Sequence, residues 1–170
     1  MEAAVSFLPS GFEIPVLLES PACRFRPLTI HDVVKDYDAV MSSRVELRNQ
    51  FGTAWGGWPS DDLTLEQDLI DLGWHQKEFQ RRSSFAYTVT SPDESRVLGC
   101  IYIFPSHKAG DDAAVYWWTR SDAPGREVAP PIERSLRAWI ADAWPFERVA
   151  YPGVDIAWEE WMALPRTNVS

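Results

Sequence analysis

Between Ser84 and Thr119 the chain carries three apolar runs separated by two short polar breaks, and this feature limits its fold more than any other. Residues 84–90 alternate through Phe85, Tyr87 and Val89. Ser91-Pro92-Asp93-Glu94 interrupts, and residues 97–104 form a dense β-branched and aromatic run. A second break at 105–112 leads into Ala113-Ala114-Val115-Tyr116-Trp117-Trp118-Thr119. Three strands joined by short connections predict an antiparallel meander, whose buried face must be covered by helices.

The flanking sequence supplies those helices. Arg24-Phe25-Arg26-Pro27-Leu28 alternates like a half-buried strand, and Thr29-Ile30-His31-Asp32 has the form of a capping box. Val33, Val34, Tyr37, Val40 and Met41 then predict one apolar stripe on a helix reaching Ser43. Thr64-Leu65-Glu66-Gln67 repeats the capping pattern. Leu65, Leu69, Leu72 and Phe79 predict the inward face of a second helix, ending near Arg81-Arg82. Residues 49–61 combine glycine and proline with Trp55 and Trp58, which predicts an aromatic binding loop or, equally, a lid on the core. After a turn at Pro124-Gly125, a third helix presents Ile132, Leu136, Trp139 and Ile140 on one face, with Pro130 and Pro131 expected in its first turn. A short strand over 146–151 and a short helix over 157–164 complete a single domain at 23–170. Residues 1–22, broken by Pro9, Pro15 and Pro21, read as a docked N-terminal arm. The fold class is α/β (α+β): a mixed, mostly antiparallel sheet flanked by helices, in the order β-α-α-β-β-β-α-β.

Composition narrows the function classes. With 16 Lys+Arg against 25 Asp+Glu the formal charge is -9, which disfavours nucleic acid as a partner. No apolar run approaches the roughly 18 residues of a membrane span and the start lacks a secretion signal, so no membrane is expected and the protein reads as cytoplasmic. Cys23 and Cys100 are too few for a disulfide framework. His75 and Glu78 stand alone at i and i+3, so no metal is expected. No G-x-S-x-G elbow or nucleotide-binding P-loop occurs. The 13% aromatic content exceeds what a small core needs, which points to a lined cleft.

The element order, together with Ala113-Ala114-Val115-Tyr116-Trp117-Trp118-Thr119 leading into Gly125-Arg126-Glu127-Val128-Ala129, resembles the GNAT superfamily of acyl-CoA N-acyltransferases. Arg26-Pro27-Leu28 with Asp32 also looks like that superfamily's first strand and helix opening. The resemblance implies transfer of an acetyl or related acyl group from acetyl-CoA, or another acyl-CoA, to a primary amine of a small molecule or protein. It implies cofactor contacts from Trp117, Trp118, Thr119, Gly125, Arg126, Val128 and Ala129, main-chain amides holding the diphosphate. The acceptor groove would be lined by Trp55, Trp58 and Tyr116.

Ala114 stands where many members carry the strand glutamate that takes the amine proton, and Glu127 where they carry a second glycine. Asp112, Glu46 and Tyr151 are the nearest stand-ins for catalytic groups. The same departures, with a chain that ends soon after Gly153, motivate a second expectation: a GNAT-derived binding or scaffold protein without acyl transfer. The sheet edge after Gly153 would be covered by the N-terminal arm, by the Trp158/Trp161/Met162 helix, or by a second subunit in a homodimer.

Overall fold

A computed structural model describes residues 6–167. The meander is its centre: β3 (Phe85–Thr90), β4 (Val97–Pro105) and β5 (Ala113–Thr119) pair antiparallel in chain order. β2 (Arg24–Pro27) joins β3 and β1 (Leu18–Glu19) joins β2, both antiparallel. β6 (Val149–Ala150) joins β5 parallel, which requires a crossover, and closes a six-stranded sheet ordered β1 to β6.

The period-2 alternation of the strands divides the core in two. One face sends Phe25, Tyr87, Ile101 and Val115 against Ile132, Leu136, Trp139 and Ile140 of α4 (Ala123–Ala143). The other sends Ala86, Cys100, Tyr102 and Trp118 against α1 (Val33–Ser42), α2 (Arg44–Phe51) and α3 (Leu65–Gln80). Both predicted caps are formed. The Thr29 amide donates to the Asp32 carboxylate at 2.9 Å, and the Thr64 hydroxyl accepts from the Gln67 amide at 3.1 Å.

Three expectations are corrected. The segment expected as a loop from residue 49 is helical to Trp55, because Phe51 anchors the end of α2 in the core and a 3₁₀ turn (Gly52–Trp55) follows. Gly52 breaks α2 with a positive φ before the 3₁₀ turn, and Gly56 and Gly57, both at positive φ, end that turn. Second, the 124–125 turn is already the start of α4. Asp122 caps it by accepting from the Gly125 amide at 3.2 Å, and Pro124 sits in the first turn, where a missing N–H is least costly. Pro130 and Pro131 therefore lie inside the helix. They deprive the Arg126 and Glu127 carbonyls of donors, but both residues are exposed, so water substitutes. Third, Leu65 and Leu69 on α3 and Val34 on α1 face outward.

Both ends of the chain dock on the same molecule. In the arm Leu8 is buried, the Tyr87 hydroxyl donates to the Pro15 carbonyl at 2.6 Å, and Phe7 stacks on Phe146 with centroids 5.3 Å apart. At the other end α5 (Trp158–Ala163) buries Trp161 and stacks Trp158 on Tyr116.

The glycine at 125 has a packing reason. A Cβ there would lie 2.0 Å from the Arg120 carbonyl oxygen, a backbone atom that cannot swing away. Gly125→Ala should therefore cost about 1–3 kcal/mol of stability, read as a lower midpoint in urea unfolding; an unchanged midpoint would show that the α4 start is free to shift.

Candidate active site

On the α1/α3 face of the sheet lies a cavity of about 930 Å³. Its walls come from α1, α3, the 3₁₀ turn with Trp55, the loop after it with Trp58, strands β4 and β5, and α5. Two of the wall residues are carboxyls where helix periodicity would place apolar groups. Asp36 of α1 is 4% exposed and Asp68 of α3 is 3% exposed, whereas Val34 is 68% and Leu65 45% exposed. The side chains of Asp36 and Asp68 hydrogen-bond to one another, so one carboxyl must keep its proton and donate it.

The surroundings explain why. Burial raises Asp36 well above the ordinary carboxylate range, and the neighbouring charges of Asp68 and Asp32 add to it. Burial, then the charge of Asp71, lifts Asp68 from 3.8 to about 6, opposed by its bond to Asp36. The guanidinium of Arg26, beside Asp32, is already committed to Asp32 at 2.7 Å and to Glu94. His75, also on the wall, is lowered by burial to about 4 and is neutral at physiological pH. Taking a carboxylate out of water without a cation costs several kcal/mol, so sharing a proton is the pair's cheaper state.

Aromatic rings form much of the rest of the wall. Trp55 stacks on Phe51 at 4.0 Å and meets Tyr102 edge-on at 5.4 Å and Tyr116 at 5.5 Å. Trp58 leans on Trp118, whose indole N–H donates to the Tyr102 hydroxyl at 3.1 Å. Trp55 and Trp58 thus belong at once to the core and to the cavity wall.

The cavity reaches β5 at Ala114 and Tyr116. There the sheet opens: β5 runs to Thr119 but pairs with β6 only at Ala113–Val149 and Ala114–Ala150. Beyond Ala114 its outer edge leaves the ladder. One carbonyl of that edge, Trp117, accepts from the Gln50 side chain at 2.9 Å, and the Gln50 carbonyl accepts from the Trp158 indole at 2.8 Å. A Gln50–Trp158 bridge thus crosses part of the gap.

At the far end of the gap stands the start of α4. The Arg120 amide donates to the Leu98 carbonyl at 2.8 Å, the Ser121 amide to the Ser43 hydroxyl at 3.0 Å, and the Arg126 amide to the Asp122 carbonyl at 3.0 Å. With Gly125 donating to the Asp122 carboxylate and Pro124 lacking a donor, Asp122 and Ala123 are the amides of this turn without a partner among the described residues. The Asp122 carboxylate also receives Arg96 at 2.9 Å and Arg120 at 3.0 Å, which together with the Gly125 amide hold it below its ordinary range against the cost of burial. The outer edge of β5 is thus free of strand pairing past Ala114, and the turn at its end is occupied by the protein's own carboxylate, Asp122.

The expected site residues fall into separate groups. Trp55, Trp58 and Tyr116 stand on the cavity wall. Trp118 is buried beneath it, Trp117 points to the α4 side, and Thr119 is half-buried at the strand end. Gly125 is buried, Arg126 is exposed, Val128 packs on the α4 core and Ala129 is half-buried. The three catalytic stand-ins do not converge. Asp112 accepts from the Glu147 and Arg148 amides, both at 2.9 Å, and so pins β6 to β5. Tyr151 is buried under the Arg137 guanidinium at 4.3 Å, and Glu46 is exposed on α2. Asp36 and Asp68 were missed by sequence reading; their signal is a carboxylate at an inward helical position. Among the described residues no group of three or more His, Cys, Asp or Glu side chains could hold a metal ion, and no helix is long and apolar enough to cross a membrane.

Among solved structures the chain is similar to the ribosomal-protein-S5-alanine acetyltransferase of Vibrio fischeri, at 16% identity and a TM-score of 0.58 over 76% of this chain and 69% of that one. It is similar to RimL, a ribosomal L7/L12 alpha-N-protein acetyltransferase, at 16% identity and a TM-score of 0.54 over 79% and 69%. It is also similar to the microcin C7 self-immunity acetyltransferase MccE, in complex with acetyl-CoA and AMP, at 10% identity and a TM-score of 0.52 over 82% and 72%. No family model and no curated protein matches the chain. The fold is that of the GNAT acetyltransferases.

The carboxyl pair sets a pH signature. Because Asp68 and Asp36 are raised on folding, the native state binds more protons than the unfolded chain; the Asp68 contribution is fullest below about pH 4 and is lost as pH rises through about 6, and that of Asp36, raised further by burial, is lost at higher pH. Asp32, lowered on balance by Arg26, acts in the opposite sense and loses its contribution as pH falls. Asp68→Asn should therefore raise the Tm more at pH 8 than at pH 4.5, by about 2–4 °C for each kcal/mol recovered. Equal shifts at both pH values would contradict a proton-sharing pair.

Proposed function

We propose that the protein is an acyl-CoA-dependent N-acyltransferase whose acceptor is a primary amine held in the acidic, aromatic cavity. The observation that carries this reading is the parting of β5 from β6 after Ala114, with the cavity opening beside the freed edge at Ala114 and Tyr116. A thioester laid along that edge would meet an amine presented from the cavity. The fold it shares with acetyltransferases, some of them solved with CoA or acetyl-CoA, supports the same reading.

The chain's own residues supply the amine half of the chemistry. An ammonium group is not a nucleophile until it loses a proton, and a carboxylate near neutral pKa suits that task. Asp68 at about 6 is such a group, lining the cavity that the amine would occupy. Trp55, Trp58 and Tyr116 would orient the acceptor by stacking. The acyl donor, when bound, supplies a carbonyl already activated as a thioester.

A second reading, a binding protein that has lost acyl transfer, draws on the α4 start. There Asp122 takes up the Gly125 amide and two guanidiniums. Yet the same contacts make that turn a place able to hold an anion, now an internal one. A diphosphate could compete for it.

Calorimetric titration with CoA and acetyl-CoA separates the two. Binding in roughly the micromolar range, with acetylation of an added amine, is expected. Asp122→Asn keeps a capping oxygen and removes the competing charge, so it should tighten CoA binding several-fold, on the order of 1 kcal/mol. No heat and no thermal shift with millimolar CoA, in either protein, would leave the binding-protein reading.

A further inference from the structure

The carboxyl pair is over-buried for a structural role. Asp36 and Asp68 come from different helices, both line the cavity, and neither is ion-paired among the described residues. Asp68 Oδ2 is buried and has no hydrogen-bond partner among the described residues. The groups that face the pair are of no help. Asp32 is paired with Arg26, Asp71 and Glu78 are acidic, and His75 is neutral; Cys100 and Tyr102 of β4 are pushed further from ionisation by burial. The cavity's own lysine, Lys108, spends its ammonium on the Met162 and Leu164 carbonyls at 3.1 and 2.9 Å. Arg166 lines the cavity beside it. The same cavity is walled by Trp55, Trp58 and Tyr102, surfaces suited to an apolar or cationic body.

We propose that Asp36 and Asp68 are the anchoring site for the ammonium head of a small organic cation whose apolar body lies among Trp55, Trp58 and Tyr102. This rests on the amine-acceptor reading above and gives it a substrate class: a primary ammonium with an apolar or aromatic arm, rather than a neutral or anionic acceptor. The three N–H donors of an ammonium satisfy Asp68 Oδ2 and let both carboxyls ionise. The proton that the pair shares leaves to solvent as the ligand enters. A neutral amide brings neither charge nor enough donors and is refused.

The test is calorimetry on the wild-type protein without CoA, at pH 6, with tyramine, tryptamine, spermidine and N-acetyltyramine, each in two buffers of different ionisation enthalpy. At least one of the three amines should bind with release of about one proton, and N-acetyltyramine should not bind. Asp36→Asn and Asp68→Asn should each weaken amine binding by roughly tenfold or more and abolish the proton release. Asp142→Asn, at an exposed position on α4, should change neither. The proton count on the wild type keeps the test valid if either variant fails to fold. Absence of binding by all three amines, equal binding of tyramine and N-acetyltyramine, or binding with no proton released would overturn the inference. Acetyl transfer is scored separately. Amine binding with proton release but no transfer under acetyl-CoA would leave this site standing and remove the acyltransferase reading. Transfer to an amine whose KM is unchanged in Asp68→Asn would do the reverse.

Discussion

Strand β5 is held along its whole length on one side and for only two residues on the other, and the rest of the molecule is arranged around that asymmetry. The seven-residue ladder to β4 fixes which side chains face which core. Even positions Ala114, Tyr116 and Trp118 turn toward α1 and α3, and Trp117 turns toward α4. The short pairing to β6 is pinned by Asp112, whose carboxylate gathers two amides of the incoming strand. Past that pin the strands diverge, and an unpaired backbone edge is left that must be answered by water, side chain or ligand. Gln50 and Trp158 answer part of it from inside the molecule.

The second constraint is electrostatic. A net acidic chain places two carboxyls of different helices in one apolar seam and leaves them without a cation. As they stand, the two cannot both ionise cheaply. The cavity is thus poised for a positively charged guest by what it lacks. At the other end of the gap the arrangement is reversed: two arginines and a helix start create a positive site, which Asp122 neutralises. The protein presents a negative cavity and a self-neutralised positive turn on either side of one strand edge, the polarity that an ammonium acceptor and an anionic acyl carrier would need.

Much of the fold was legible in the sequence, and the places where it was not are physical. The meander was readable because alternating β-branched and aromatic residues have few other uses. The capping boxes at Thr29 and Thr64 marked helix starts because their geometry is local. Helix α2 was obscured by glycines that follow rather than interrupt it. The start of α4 was misplaced because two interior prolines were taken for a first turn, whereas solvent satisfies the carbonyls they orphan. The inward faces of α1 and α3 were read in part: Val33, Tyr37, Val40, Met41, Leu72 and Phe79 pack inward as expected, whereas Val34, Leu65 and Leu69 face outward and the interior also holds Asp36 and Asp68. Local rules fail there because the cavity, not the core, sets the choice of residue. The aromatic wall was anticipated from Trp55, Trp58 and Tyr116. The buried carboxyls Asp36 and Asp68 were not, since nothing local in the sequence distinguishes them from solvated helix charges.

The central claim is that the freed edge of β5 is where an acyl carrier lies, and amide chemical shifts report on that edge residue by residue. In a ¹H–¹⁵N correlation experiment on the isotopically labelled protein, added acetyl-CoA should shift the amides of Val115, Trp117, Thr119 and Ala123 and leave those of β2 and β3 in place. A spectrum in which those four signals stay still at saturating acetyl-CoA would contradict the account.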